Sequence, residues 1–184
     1  MGIKNDRMNS SDWPGEFRRV YDSATKRYAG GERNPSKLFN AAELGFLQSI
    51  GCSAQELFDF IDDLARYGEP DYETTLLVTG VRRSYFLVEQ NGVPSKNIIS
   101  TDNLPAKRDE VDGIAWLPRL IEKARAKLRG EMPPDLMYGC GGDRPCVREM
   151  NMELSEFLML VWSSGEDNRR IIDYVKQRRA AGKR

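Results

Sequence analysis

Apolar side chains recur at helical spacing along most of the chain. The first run follows Asp12-Trp13-Pro14-Gly15-Glu16, a capping acid, a first-turn proline and an acid near the positive end of the helix dipole. Phe17, Val20, Tyr21, Ala24 and Tyr28 then fall about 3.6 residues apart until Gly30-Gly31 ends the pattern. Asn40-Ala41-Ala42-Glu43 has the spacing of a capping box and opens a short helix through Phe46, Leu47 and Ile50. Ser53-Ala54-Gln55-Glu56 repeats the signal, and Leu57, Phe58, Ile61, Leu64 and Ala65 carry one apolar face to Gly68. These two helices are expected to lie antiparallel about the Gly51-Cys52 turn, with Cys52 a small buried hydrophobe.

The stretch 72–90 reads two ways. Leu77, Val81, Tyr85 and Val88 match a helix stripe, with Pro70-Asp71 as a start and Asn91-Gly92 as a stop, and a helix is predicted; a β-hairpin over 74–88, turning near Gly80, is the alternative. From 92 to 112 the chain turns polar, with Pro94, Pro105 and few apolar anchors, and reads as a surface connection. Leu120, Ile121, Ala124 and Leu128 form the stripe of the next helix, which has Pro118 in its first turn and ends at Gly130. Its remaining positions, Arg119, Glu122, Lys123, Arg125, Lys127 and Arg129, are expected to form a solvated charged face. Two further helices are predicted over 153–163 and 167–179.

The expected fold is therefore all-α, an irregular bundle of six to seven amphipathic helices. A flexible N-terminus (1–11) precedes an N-terminal helical half (12–91), a connecting segment (92–112) and a C-terminal half (113–184) that holds a glycine- and cysteine-rich loop at 138–146. At 184 residues, 40% of them hydrophobic, the whole suits one compact domain.

Charge and composition narrow the function. Lys plus Arg and Asp plus Glu both total 28, so no global field pulls the chain onto nucleic acid or an anionic membrane. The basic run at 176–184 reads as cations complementing a helix C-terminus. With no histidine, Ser-His-Asp and Cys-His nucleophiles and every His-containing metal site are excluded, and three cysteines are too few for a Cys₄ site. The odd cysteine count, the polar 1–11 stretch and the lack of a long apolar run point to a reduced, soluble, cytoplasmic protein.

The run Leu117-Pro118-Arg119-Leu120-Ile121-Glu122-Lys123-Ala124-Arg125, followed by Tyr138-Gly139-Cys140-Gly141-Gly142-Asp143, resembles a bacterial domain-of-unknown-function family numbered 5069, over about 113–175. The resemblance implies a small helical domain with a tyrosine and a cysteine-aspartate loop, here Tyr138, Cys140 and Asp143, and a closing helix pair. It implies a fold and a motif, but no reaction. Cys146 and the Gly141-Gly142 pair depart from the family pattern, so a mechanism needing both thiols would not carry over.

The loop offers candidate chemistry. Pro145 suits the first turn of a short helix, which would place Cys146 near a positive dipole end beside Arg144 and Arg148 and depress its thiol pKa. Cys140 could act as its resolving partner, and Asp143 as acid or base. Tyr138, Gly141, Gly142 and Arg144, with Arg119 and Lys123 on the preceding helix, are candidate ligand-binding residues for a small anion. The opposing reading makes Asp143 an N-cap, Pro145 the first helical residue and the cysteines core fillers. A binding or protein-interaction module is the leading expectation, with an unknown protein partner or a small anionic ligand, and enzyme activity is disfavoured. The alternative is a thiol-dependent enzyme or redox sensor using Cys140 and Cys146. Trp13, Trp116 and Trp162 could instead mark a subunit interface. The sequence identifies no cofactor, and no metal site is expected.

Overall fold

Each capping signature in the first half starts a helix. In the computed structural model, which describes residues 12–182, Asp12 accepts from the Gly15 amide at the head of α1 (Trp13–Ala29), and Asn34 caps the single turn α2 (Pro35–Leu38). Asn40 with Glu43 and Ser53 with Glu56 form reciprocal capping boxes on α3 (Ala41–Ser49) and α4 (Ala54–Tyr67). The expectation of a flexible 1–11 segment lies outside the described residues, as do the last two residues of the basic run.

Residues 72–88 are helical, which overturns the hairpin alternative there. Asp71 accepts from the Thr74 amide to start α5 (Tyr72–Val88), and Thr75, Val78, Thr79, Arg82 and Phe86 are buried at three- and four-residue spacing. The β-branched Thr75 is accommodated because its hydroxyl bonds back to the Asp71 carbonyl at 2.9 Å. A hairpin does exist, but later. After a 3₁₀ turn (Thr101–Asn103), β1 (Glu110–Val111) pairs antiparallel with β2 (Ile114–Ala115), Glu110 facing Ala115. Asp112 and Gly113 join them with φ of 51° and 72°, the paired left-handed conformation of a tight hairpin turn.

The second half continues with α6 (Leu117–Arg129), α7 (Asp143–Glu149), α8 (Leu154–Ser164) and α9 (Asn168–Ala181). Nine helices stand among the described residues where six to seven were expected; the single turn α2 is too brief to show an apolar period, and α7 is the short helix expected around Pro145. The all-α class holds, with the two-residue strands as its one exception. No helix among the described residues is long and apolar enough to cross a membrane.

Two buried clusters organise the packing. One gathers Phe17, Val20, Tyr21, Leu38, Leu47 and Leu57 from α1 to α4, and the other Val78, Leu120, Ile121, Phe157, Leu158 and Ile171 from α5 to α9. α4 packs mainly on α1 and α2, α5 on α6 and α8, and α6 on α8. Phe60 on α4 belongs to the second cluster, so α4 lies between the two.

The solvated charged face expected on α6 is corrected. Lys123, Arg125 and Lys127 are 1%, 7% and 2% exposed, because α6 is surrounded rather than laid on a surface. Each buried cation is neutralised in a different direction. Lys127 Nζ donates to Glu56 Oε1 at 2.8 Å, and Arg125 reaches Glu122, the Gly165 carbonyl and Asn168. Burial pushes the Glu56 carboxyl up, but the Lys127 ammonium outweighs it and leaves Glu56 below the usual carboxylate range.

Candidate functional site

Lys123 points from the middle of α6 into the loop 138–146. Its Nζ lies 2.5 Å from Asp143 Oδ2 and 3.2 Å from Cys140 Sγ. Asp143 is fully buried and also accepts from Trp116 Nε1 at 2.8 Å and from the Gly139 amide at 2.8 Å. The residue read as an N-cap thus binds the loop, the residue before α6 and α6 itself. Gly142 caps α7 instead, so Asp143 is its first residue and Pro145 its third. Gly142 is demanded by packing: a Cβ there would sit 2.3 Å from the Trp116 ring, whereas its φ of −89° suits any residue. Gly139, at φ +89°, is the loop glycine that needs the left-handed region.

Two candidate ligand-binding residues take other roles. Tyr138 is 2% exposed and its hydroxyl donates to the Leu154 carbonyl at 2.8 Å; burial, then Asp143 and Cys146, hold its phenol well above the ordinary value. It is a core residue, not a ligand contact. Arg144 is also buried, donating to Asp63 Oδ2 at 2.7 Å, Glu69 Oε1 at 3.1 Å and the Gly139 carbonyl at 2.8 Å. Its charge is spent on joining α7 to α4, so it is not free to hold an anion. Arg148 reinforces the same join through Glu69.

The expectation of a depressed Cys146 thiol is likewise corrected. Cys146 lies in the second core with Sγ 3.8 Å from the Ala115 carbonyl, and burial, then Asp143 and Glu149, push its pKa up to about 12. In a seven-residue helix packed among carboxylates, desolvation outweighs the dipole. Cys52 is pushed up to about 12 for the same first reason. All three thiols are free, and Cys140 alone of them is half-buried rather than buried.

Cys140 opens onto a cleft of about 410 Å³. Arg119, Lys123 and Gly142 line it with Trp116, while Gly141 is exposed beside the Arg144 guanidinium. Arg119 donates to the Pro105 carbonyl at 2.8 Å, so the connecting segment forms part of the wall and contributes Lys107. The facing wall is α4, through Asp59, Asp62 and Asp63. Burial pushes the Asp59 carboxyl up to about 6 although Gln55 donates to it at 2.7 Å. Asp135, Leu136 and Met137 close the rim. Among the described residues no group of three or more Cys, Asp or Glu is placed to hold a metal ion.

Sequence reasoning brought Arg119, Lys123, Cys140 and Gly142 to one place and missed the acidic wall. Its signal was present: Asp59, Asp62 and Asp63 recur at three- and four-residue spacing opposite Leu57 and Ile61. A polar helix face does not say what it faces.

Residues 101–183 match the family model described as Domain of unknown function (DUF5069). The likeness carried by Leu117-Pro118-Arg119 and the Tyr138, Cys140 and Asp143 loop is therefore shown for that segment, which runs from the 3₁₀ turn through α9. No curated protein and no solved structure matches the chain.

Proposed function

We propose that this is a soluble protein of the bacterial cytoplasm that binds a small molecule in the cleft between α4 and the family segment. One observation carries the reading. The cleft brings the half-buried Cys140 and the cations Arg119 and Lys107 against the carboxylates of α4, in a concavity of about 410 Å³, within the ~300–1,000 Å³ span of small-molecule sites. With Arg144 spent, an anionic ligand group falls to Arg119 and Lys107. The rigid scaffold behind it, Lys123 with Asp143 and Arg144 with Asp63, is the kind of support a binding site needs. Alkylation of Cys140 tests the reading: a ligand in the cleft slows iodoacetamide labelling, and Arg119→Ala abolishes that protection while the fold persists. Labelling that no small molecule slows would count against it.

A second reading has its own support. Cys140 Sγ lies 3.2 Å from Lys123 Nζ and faces the cleft, so a thiol-dependent activity would rest on Cys140 with Asp143 holding the lysine, and not on Cys146. Its test is the alkylation rate of Cys140 against pH. A rate that follows an ordinary thiol, titrating near ~8.5, leaves no activated nucleophile.

A further inference from the structure

The charges around the cleft fall into spent and unspent groups. Lys123 is paired with Asp143, Asp63 with Arg144, and Asp62 with Arg66 and the Tyr28 hydroxyl. Lys107, Arg119, Asp59 and Asp135 remain on the lining, and among the described residues none of these four forms an ion pair. Arg119 and Asp59 are each steadied by one neutral partner, the Pro105 carbonyl and the Gln55 amide, and each keeps further hydrogen-bonding capacity. Trp116, Leu136 and Met137 add apolar surface. An anion alone would meet Arg119 but leave uncompensated carboxylates beside it, and a cation alone would do the reverse.

We propose that the cleft takes an amphoteric small molecule, its protonated amine or guanidinium at Asp59, its carboxylate or phosphate at Arg119 and Lys107, and an apolar middle against Trp116 and Met137. This rests on the binding reading above and adds the ligand class. The groups around Asp59 are Gln55, Glu56 and Asp63 from α4, Lys127 from α6, and Tyr138 and Met137 from the loop side. The Lys127 ammonium is already given to Glu56, so a ligand cation at Asp59 meets no paired competitor. Binding therefore strengthens as pH rises through about 6, where Asp59 ionises.

The test uses the full chain and four probe sets of matched size and apolar content: amino carboxylates, amino phosphates, the corresponding acids without the amine, and the amines without the acid. Protection of Cys140 from iodoacetamide and movement of the Trp116 indole resonance report binding. The expected result is that hits concentrate in the two amphoteric sets, and which of the two wins identifies the anionic group. Single-charge analogues bind at least about tenfold more weakly, a difference of ~1.4 kcal/mol. Asp59→Asn removes preference for the amine, and Arg119→Gln removes preference for the acid, with both variants folded as the parent is by circular dichroism. If single-charge probes bind as well as their amphoteric parents, or if Asp59→Asn leaves the preference intact, the ligand class is wrong and the binding reading stands. If no probe shields Cys140 or moves Trp116, the binding reading itself falls.

Discussion

Lys123 Nζ lies 2.5 Å from Asp143 Oδ2, and neither side chain reaches solvent. With Trp116 Nε1 on the other carboxylate oxygen and the Gly139 amide also donating, this pair fastens the loop to the centre of the helix it follows. A buried carboxylate so surrounded is secure only while its cation is present. Lys123→Met should therefore cost about 3–5 kcal/mol, the range for leaving one buried charge uncompensated. Urea denaturation measures it, and a loss below about 1 kcal/mol would mean that water screens the pair.

The loop glycines should separate in their effects. A Cβ on Gly142 would lie 2.3 Å from the Trp116 ring, while one on Gly141 meets only the end of Arg144 at 3.8 Å. Gly142→Ala is expected to destabilise by about 1–3 kcal/mol and to shift tryptophan emission. Gly141→Ala should stay within about 0.5 kcal/mol of the parent in the same thermal melts. Equal effects would contradict the placement of Trp116.

The three thiols should differ in access. Cys140 is half-buried at the cleft, whereas Cys52 and Cys146 are buried with pKa values pushed up to about 12. Brief treatment of the native protein with iodoacetamide near neutral pH should give a single adduct, on Cys140, by peptide mass analysis. All three label once the chain is unfolded in urea. An adduct on native Cys146 would place that thiol outside the core.

Asp59 should leave a pH signature in stability. Burial raises its carboxyl from 3.8 to about 6, so the folded chain holds this proton more tightly than the unfolded chain. The contribution is fully present below the unfolded value and is lost as pH rises through the folded one, a fall spread over roughly pH 4 to 6. Asp59→Asn removes that fall. Its stability relative to the parent should rise between these limits in paired urea titrations, and a flat difference would show that Asp59 is well solvated. Comparison with the parent matters because Glu43, Glu56 and Glu69, held low by their arginine and lysine partners despite burial, act in the opposite sense at lower pH.

Local signals accounted for much of the architecture. The capping boxes at Asn40 and Ser53 and the stops at Gly68 and Gly130 are interactions within a few residues, and they hold where the pattern placed them. One local signal was passed over: Asp112-Gly113 has the composition of a tight hairpin turn, but two-residue strands give too short an alternation to stand out from a polar connection. The site was legible in part. Arg119, Lys123 and Cys140 lie within one segment whose motif keeps them near each other, whereas Asp59 and Asp63 come from a helix more than fifty residues earlier.

What the chain's order of residues settled was helix start and helix end, because caps and glycines act over a turn or two. Which face is buried it did not settle for α5, where Leu77 and Val88 of the expected stripe are 57% and 65% exposed while Thr75, Thr79 and Arg82 are buried. The absence of histidine settled as directly which mechanisms the described site does not use. What waited for the packed molecule was the fate of the charges. Lys123, Arg125, Lys127 and Arg144 look like surface cations when read in sequence and prove to be buried; Lys123, Lys127 and Arg144 are cancelled by carboxylates reached across the fold, and Arg125 by Glu122 one turn away. Whether an ionised group is solvated, spent or available depends on distance and dielectric, and both are set by side chains that meet only when the two cores close around α4.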